Sequence, residues 1–161
     1  MENVMVAAHC RTSAGVFGAI FRPEKVKREE RDMGFRAMDI LKFVGLEDKS
    51  GVLAANLSYG DQRRLEIARA MCTDPVLLCL DEPAAGLNDT ETEGLANLLR
   101  AIRKLGIPVL VVEHNMSLVM NVADRIVVLD SGAIIATGTP SEVQSNSRVI
   151  EAYLGRENNA A

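Results

Sequence analysis

Two short apolar runs in this chain end in groups that can do chemistry. Val76–Leu80 leads into Asp81–Glu82, and Ile107–Val112 leads into Glu113–His114. An apolar strand that runs straight into acids is a local conflict, and such conflicts tend to mark function. Asp81 is a candidate Mg2+ ligand, because that ion is held through one or two carboxylates, waters and substrate phosphates. Glu82, one residue on, is placed to polarise an attacking water as a general base. His114 is a candidate for holding a γ-phosphate or orienting that water. The plainer alternative is that these acids cap helices or pair with nearby arginines.

A third stretch, Leu57–Ser58–Tyr59–Gly60–Asp61–Gln62, has two readings. Ser58 with Asp61 three residues on has the spacing of a capped helix start. That alone does not account for Gly60 in the first turn, where glycine costs helix stability. A glycine there lets backbone approach a ligand, and the free amides of a helix N-terminus bind phosphate.

The elements that must position these groups are legible from periodicity. The stretch from Arg22 to Arg36 alternates charge and reads as a solvated helix, with Pro23 in its first turn. Its continuation gains an apolar face at Phe35, Met38, Leu41 and Val44 before Gly45 ends it. A helix from Ser58 carries Leu65, Ala68, Met71 and Cys72 at helical intervals and stops at Asp74–Pro75. Val76–Leu80 is short and wholly apolar, as in a strand buried on both faces. A helix from about Asp89 to Leu105 shows a stripe of Leu95, Leu98, Leu99, Ile102 and Leu105, with Gly106 placed to end it. Ile107–Val112 is the next strand. Strand, helix and strand form a βαβ unit whose two strands should be parallel. Ligands in such sheets bind at the carboxyl ends of the strands, so three carboxylates and one imidazole should converge there. Beyond a short helix near Met116–Ala123, Arg125–Leu129 and Ala133–Ala136 flank Asp130–Ser131–Gly132 and predict a β-hairpin. Gly138–Thr139–Pro140 reads as a break, and Ser147–Leu154 as a final amphipathic helix before a frayed tail from Gly155.

Composition narrows the partners. The chain has 161 residues, 48% of them apolar, enough for one domain with a real core. Its 18 basic and 22 acidic side chains leave a net charge of −4, which argues against nucleic acid as the main partner. Aromatic residues are only 4%, which disfavours stacking platforms for bases. Three cysteines, Cys10, Cys72 and Cys79, without a CxxC pair fit a reduced compartment. No apolar run approaches the roughly 20 residues that cross a bilayer, and Met1–Glu2–Asn3 lacks the regions of a signal peptide.

Taken in order, these motifs resemble one family. Leu57–Gln62 is similar to the signature motif of ATP-binding-cassette (ABC) ATPases, usually LSGGQ. Val76–Leu80 with Asp81–Glu82 looks like their Walker B strand and catalytic glutamate. Ala84–Ala85–Gly86–Leu87–Asn88 resembles the D-loop, with Asn88 where Asp is usual, and Val111–Val112–Glu113–His114 resembles the switch-histidine segment. Finer features, Asn3–Ala7, Gly86–Asn88, Glu113–Met116 and Val149–Gly155, resemble the ATP-binding subunits of bacterial branched-chain amino acid importers. The resemblance implies an α/β fold: a partial P-loop NTPase ABC domain with a parallel sheet core, flanking helices, a helical subdomain and a C-terminal β-hairpin. Residues 1–56 are expected as a mainly helical subdomain, and 57–161 as the C-terminal part of the ATPase core. It implies Glu82 and His114 as catalytic, Asp81 as the Mg2+ ligand, and Ser58, Tyr59, Gly60, Asp61, Gln62 and Asn88 as the groups that meet ATP.

One family feature is not found. No Gly-Lys pair occurs anywhere, so the P-loop G-x-x-x-x-G-K-[ST] is absent, and the first glutamine is Gln62, past the expected Q-loop position. The chain therefore reads as starting just after the Q-loop, inside the domain. Phosphoryl transfer relies on positioning and charge neutralisation, so the Asp81–Glu82 site alone should hold ATP weakly. In this family the signature closes over ATP bound to a second ATPase subunit, and the resemblance implies that residues 22–44 face transmembrane permease subunits. The implied function is the ATP-binding, ATP-hydrolysing subunit of a branched-chain amino acid importer, or a C-terminal fragment of one, peripheral on the cytoplasmic face of the inner membrane. The alternative is a non-hydrolysing truncated paralogue that docks or regulates. A metal hydrolase built on Asp81, Glu82, Glu113 and His114 leaves Leu57–Gln62 unexplained. An uncovered edge of an apolar parallel sheet should also make the isolated chain marginally stable or self-associated.

Overall fold

The computed structural model describes residues 1–8 and 24–154. Cys10, the expected Arg22–Pro23 helix start and the tail from Gly155 lie outside the described residues. The chain divides into two compact units, Met1–Val112 and Glu113–Ala161.

The first unit holds helices α1 (Glu2–Ala8), α2 (Glu24–Phe43), α3 (Tyr59–Met71) and α4 (Asp89–Lys104), with strands β1 (Leu78–Asp81) and β2 (Val109–Val112). Single 3-10 turns, Glu47–Lys49 and Ala54–Asn56, link α2 to α3. Helices α2 and α3 pack together within this unit, with α1 against both. Val4 of α1 is buried, as are Ala37 and Leu41 of α2, Val44 just past its end, and Ile67, Ala68 and Met71 of α3. The expected apolar face of α2 is narrower than its sequence pattern. At about 100° per residue, Phe35 and Met38 turn away from the Ala37–Leu41–Val44 line, and both are exposed.

Strands β1 and β2 are parallel, with Leu78 opposite Val109 and Asp81 opposite Val112. The crossover is α4, which packs on β2 and buries Leu95, Leu98, Leu99 and Ile102. Leu105, expected on that stripe, is instead the exposed C-cap residue. The expectation of a strand buried on both faces is corrected. β1 spans 78–81 rather than 76–80, Val76 and Leu77 are exposed, and burial alternates along both strands. Among the described residues this sheet has two strands. With α4 on one face, the other leaves Cys79, Leu110 and Val112 exposed, the last two at 54% and 58%.

That open apolar face predicts self-association, because contiguous exposed apolar surface is a pairing hazard. The isolated chain is expected to show a concentration-dependent mass in analytical ultracentrifugation, and Leu110→Lys to shift it toward monomer. A monomer whose melt is sharp and independent of concentration contradicts this.

The second unit holds α5 (Met116–Val122), the antiparallel hairpin β3 (Ile126–Asp130) and β4 (Ala133–Gly138), α6 (Pro140–Gln144) and α7 (Ser147–Leu154). The turn residues Ser131 and Gly132 have φ of 49° and 82°. Both central residues at positive φ match the twist of a two-residue hairpin, and glycine takes its share of that conformation without strain. A register shift pairs Leu129 with Ile134 while Val128 pairs with Ala136, so Ile135 is the extra residue of a bulge. Ile135 packs against a small core of Ile126, Val128, Ala136, Val143 and Val149. The break expected at Gly138–Thr139–Pro140 is instead the capped start of α6. Thr139 accepts the Glu142 N–H, Glu142 accepts the Thr139 N–H, and Pro140 occupies the first turn.

Candidate functional site

The parallel ladder delivers Asp81 and Glu82 to the carboxyl edge of the sheet. Its last bond runs from the Glu82 N–H to the Val112 carbonyl at 2.8 Å. Glu82 has φ of 44°, a left-handed conformation that costs an L-residue roughly 1–2 kcal/mol. The Val112 bond on one side and the Ala85 N–H on its own carbonyl at 3.1 Å hold it there. Strain of this kind at a strand end is a common feature of active sites. Asp81 and Glu82 are both exposed. Among the described residues no three His, Cys, Asp or Glu side chains come together as a metal cluster. Asp81 is an exposed carboxylate, the donor type Mg2+ takes together with water and phosphate oxygens.

The second unit opens with Glu113–His114. The Glu113 side chain is 1% exposed and His114's is 70% exposed. Glu113 Oε2 accepts the N–H groups of His114 and Asn115, each at 2.9 Å. The expectation that Glu113 joins a convergent set of carboxylates is corrected on this point. Its carboxylate is committed to the backbone that presents His114, while the Asn115 side chain caps α5 through the Leu118 N–H.

The Leu57–Gln62 stretch forms the N-terminus of α3. Ser58 is its cap, accepting the Asp61 N–H at 3.2 Å, and Gly60 is buried. Gln62 Nε2 donates back to the Leu57 carbonyl at 3.0 Å. Asp61 pairs with Lys49. Tyr59 accepts a hydrogen bond from Arg63 Nη2 at 2.5 Å, and the same guanidinium lies 4.9 Å from its ring centroid. Asn88 caps α4, accepting the Glu91 N–H at 2.9 Å while Glu91 accepts the Asn88 N–H at 3.1 Å. Between α3 and α4 lies a cleft of about 110 Å³ that includes Ser58, Gly60, Arg63, Arg64, Leu87 and Glu91.

Sequence reading did not single out Lys49, Arg63, Arg64 or Glu91. The Asn88–Glu91 spacing of three was a visible capping signal. The Lys49 and arginine contacts had no local signal, since their partners are set by how the helices pack.

Asp61 illustrates the electrostatics. Burial raises its pKa, but the hydrogen bonds from Lys49 and Ser58 and the charges of Lys49 and Arg64 outweigh that, leaving it below the usual carboxylate value. A depressed folded-state pKa contributes stability that is fully present above the unfolded value of about 3.9 and is lost as pH falls through the folded value. Asp61→Asn is therefore expected to lower stability at neutral pH and flatten its loss below about pH 4, read from urea midpoints between pH 3 and 7. Parallel wild-type and variant profiles contradict this.

Comparison with known proteins bears on the whole arrangement. Residues 6–85 match the model of the ABC transporter family, and residues 133–158 match that of branched-chain amino acid ATP-binding cassette transporters. These matches make the chain similar to ABC transporter ATPases. It is 44% identical over 156 residues to the high-affinity branched-chain amino acid transport ATP-binding proteins LivG of Escherichia coli (strain K12) and BraF of Pseudomonas aeruginosa. These matches cover 96% of this chain and 61% of each relative, so the chain spans about three-fifths of their length. An ABC transporter ATP-binding cassette solved in its ADP conformation, MJ1267, superposes with a TM-score of 0.77 at 30% identity, covering 96% of this chain and 61% of that one. A nucleotide-free ATP-binding cassette gives 0.75 at 27% identity, covering 94% and 61%. The fold is that of an ABC ATPase core.

Proposed function

We propose that this chain is part of the ATP-hydrolysing subunit of a bacterial branched-chain amino acid importer. The observation that carries the reading is the parallel β1–β2 register, which brings Asp81 and a strained, doubly held Glu82 to the carboxyl edge of the sheet. Asp81 holds Mg2+, which when bound neutralises charge on the nucleotide's phosphates. Glu82 takes the proton of the attacking water, and His114 contacts the γ-phosphate. Ser58 and Gly60, with Tyr59, Asp61, Gln62 and Asn88 shaping their turn, present the N-terminal amides of α3 to the nucleotide of a second ATPase subunit.

The subunit works at the cytoplasmic face of the membrane, docked on transmembrane permease subunits. Among the described residues no helix is long and apolar enough to cross a membrane. Exposed Phe35 and Met38 on α2 offer apolar contacts for such docking. The decisive experiment reconstitutes the full-length subunit with its permease in liposomes. ATP-driven uptake of leucine, isoleucine or valine is expected. ATP hydrolysis that none of the three stimulates overturns the substrate class.

A further inference from the structure

Two glycines and two side chains face each other reciprocally between α3 and the loop that opens α4. A Cβ added at Gly60 meets Glu91 Oε1 at 2.7 Å, Cδ at 3.0 Å and Cγ at 3.2 Å. A Cβ added at Gly86, which has φ of 75°, meets Tyr59 Cε1 at 3.0 Å. Each segment therefore supplies one glycine and one side chain that fills the space over the other's glycine. Neither side chain is free to drift. Glu91 Oε2 is held by the Asn88 N–H, and the Tyr59 ring is held by Arg63 through its hydroxyl and its face. One helical step further on, a Cβ at Gly94 meets the end of the long Arg64 side chain, Nη2, at 2.7 Å.

We infer that Tyr59 and Glu91 are positioning residues that lock the Ser58–Gly60 turn to the Gly86–Asn88 loop as one mechanical unit. The glutamate makes a single carboxylate serve both sides, with one oxygen closing the α4 cap and the other against the backbone of α3. The tyrosine ties the loop at Gly86 to the first turn of α3. Displacing either residue therefore loosens the segment it does not belong to. The consequence for turnover rests on the proposed function. The coupling itself does not, because it is measured without nucleotide.

Hydrogen exchange of the 161-residue chain, followed by mass spectrometry over residues 57–66 and 84–92, tests this. Glu91→Ala is expected to speed exchange in both segments by roughly fivefold, the size of a lost helix cap carried across the contact. Glu91→Gln, whose amide oxygen can still accept the Asn88 N–H while its NH2 group fills the space over Gly60, restores both. Tyr59→Ala is expected to speed exchange in 84–92, and Tyr59→Phe, which keeps the ring over Gly86, to leave it near wild type. The β3–β4 hairpin serves as control. Should an alanine variant raise exchange there as well, Gly60→Ala decides, since its methyl meets Glu91 and must disturb the amides of 88–91. Effects confined to each variant's own segment, or a Gly60→Ala chain with unchanged exchange at 88–91, overturn the inference.

Discussion

Glu82→Gln, made in the full-length subunit, is expected to cut ATP turnover by roughly 10²–10⁴-fold while leaving ATP bound. The amide keeps the size of the side chain and the backbone strain at φ of 44°, so the change removes only the basic oxygen. Binding rests on groups other than Glu82, so an ATP-loaded form should accumulate and be visible as retained radiolabelled nucleotide after gel filtration. Turnover within a few-fold of wild type removes Glu82 from the base role, and Asp81 or a water chain must then be sought. Loss of nucleotide retention together with turnover points to a binding role instead.

Ile102→Ala is expected to destabilise the first unit by about 2–5 kcal/mol, through lost apolar transfer and the cavity left behind. Ile102 is fully buried on α4, the helix that closes the β1–β2 crossover. Domains of this size are stable by only about 5–15 kcal/mol, so the variant gives up a large share of the total. Urea denaturation at two protein concentrations measures it and separates unfolding from self-association. A loss below about 1 kcal/mol means that the α4–sheet face repacks around the gap. Exposed Leu105, three residues on, serves as the contrast: Leu105→Ala is expected to stay within about 0.5 kcal/mol.

Much of the site was legible because it is written in short, local patterns. Ser58 before a helical run, Asp81–Glu82 after an apolar run and Glu113–His114 after another are signals contained within six residues. The parallel arrangement of β1 and β2 followed from the length of the crossover alone. The α6 cap was misread although Thr139 and Glu142 have the capping-box spacing, because Gly138 and Pro140 are breakers by type and Pro140 is harmless only in a first turn.

By itself the sequence determined which groups are chemically able, where the chain turns helical or extended, and the ABC resemblance. Local spacing is covalent and survives in any packing. Tertiary structure alone decided the use of each group. It turned Glu113 inward onto two backbone amides, gave Asp61 to Lys49, exposed Phe35 and Met38, left one face of the sheet uncovered, and set Tyr59 and Glu91 over each other's glycines. Those outcomes depend on which surfaces of distant segments meet, and the balance between burial and hydrogen bonding is struck only once they do.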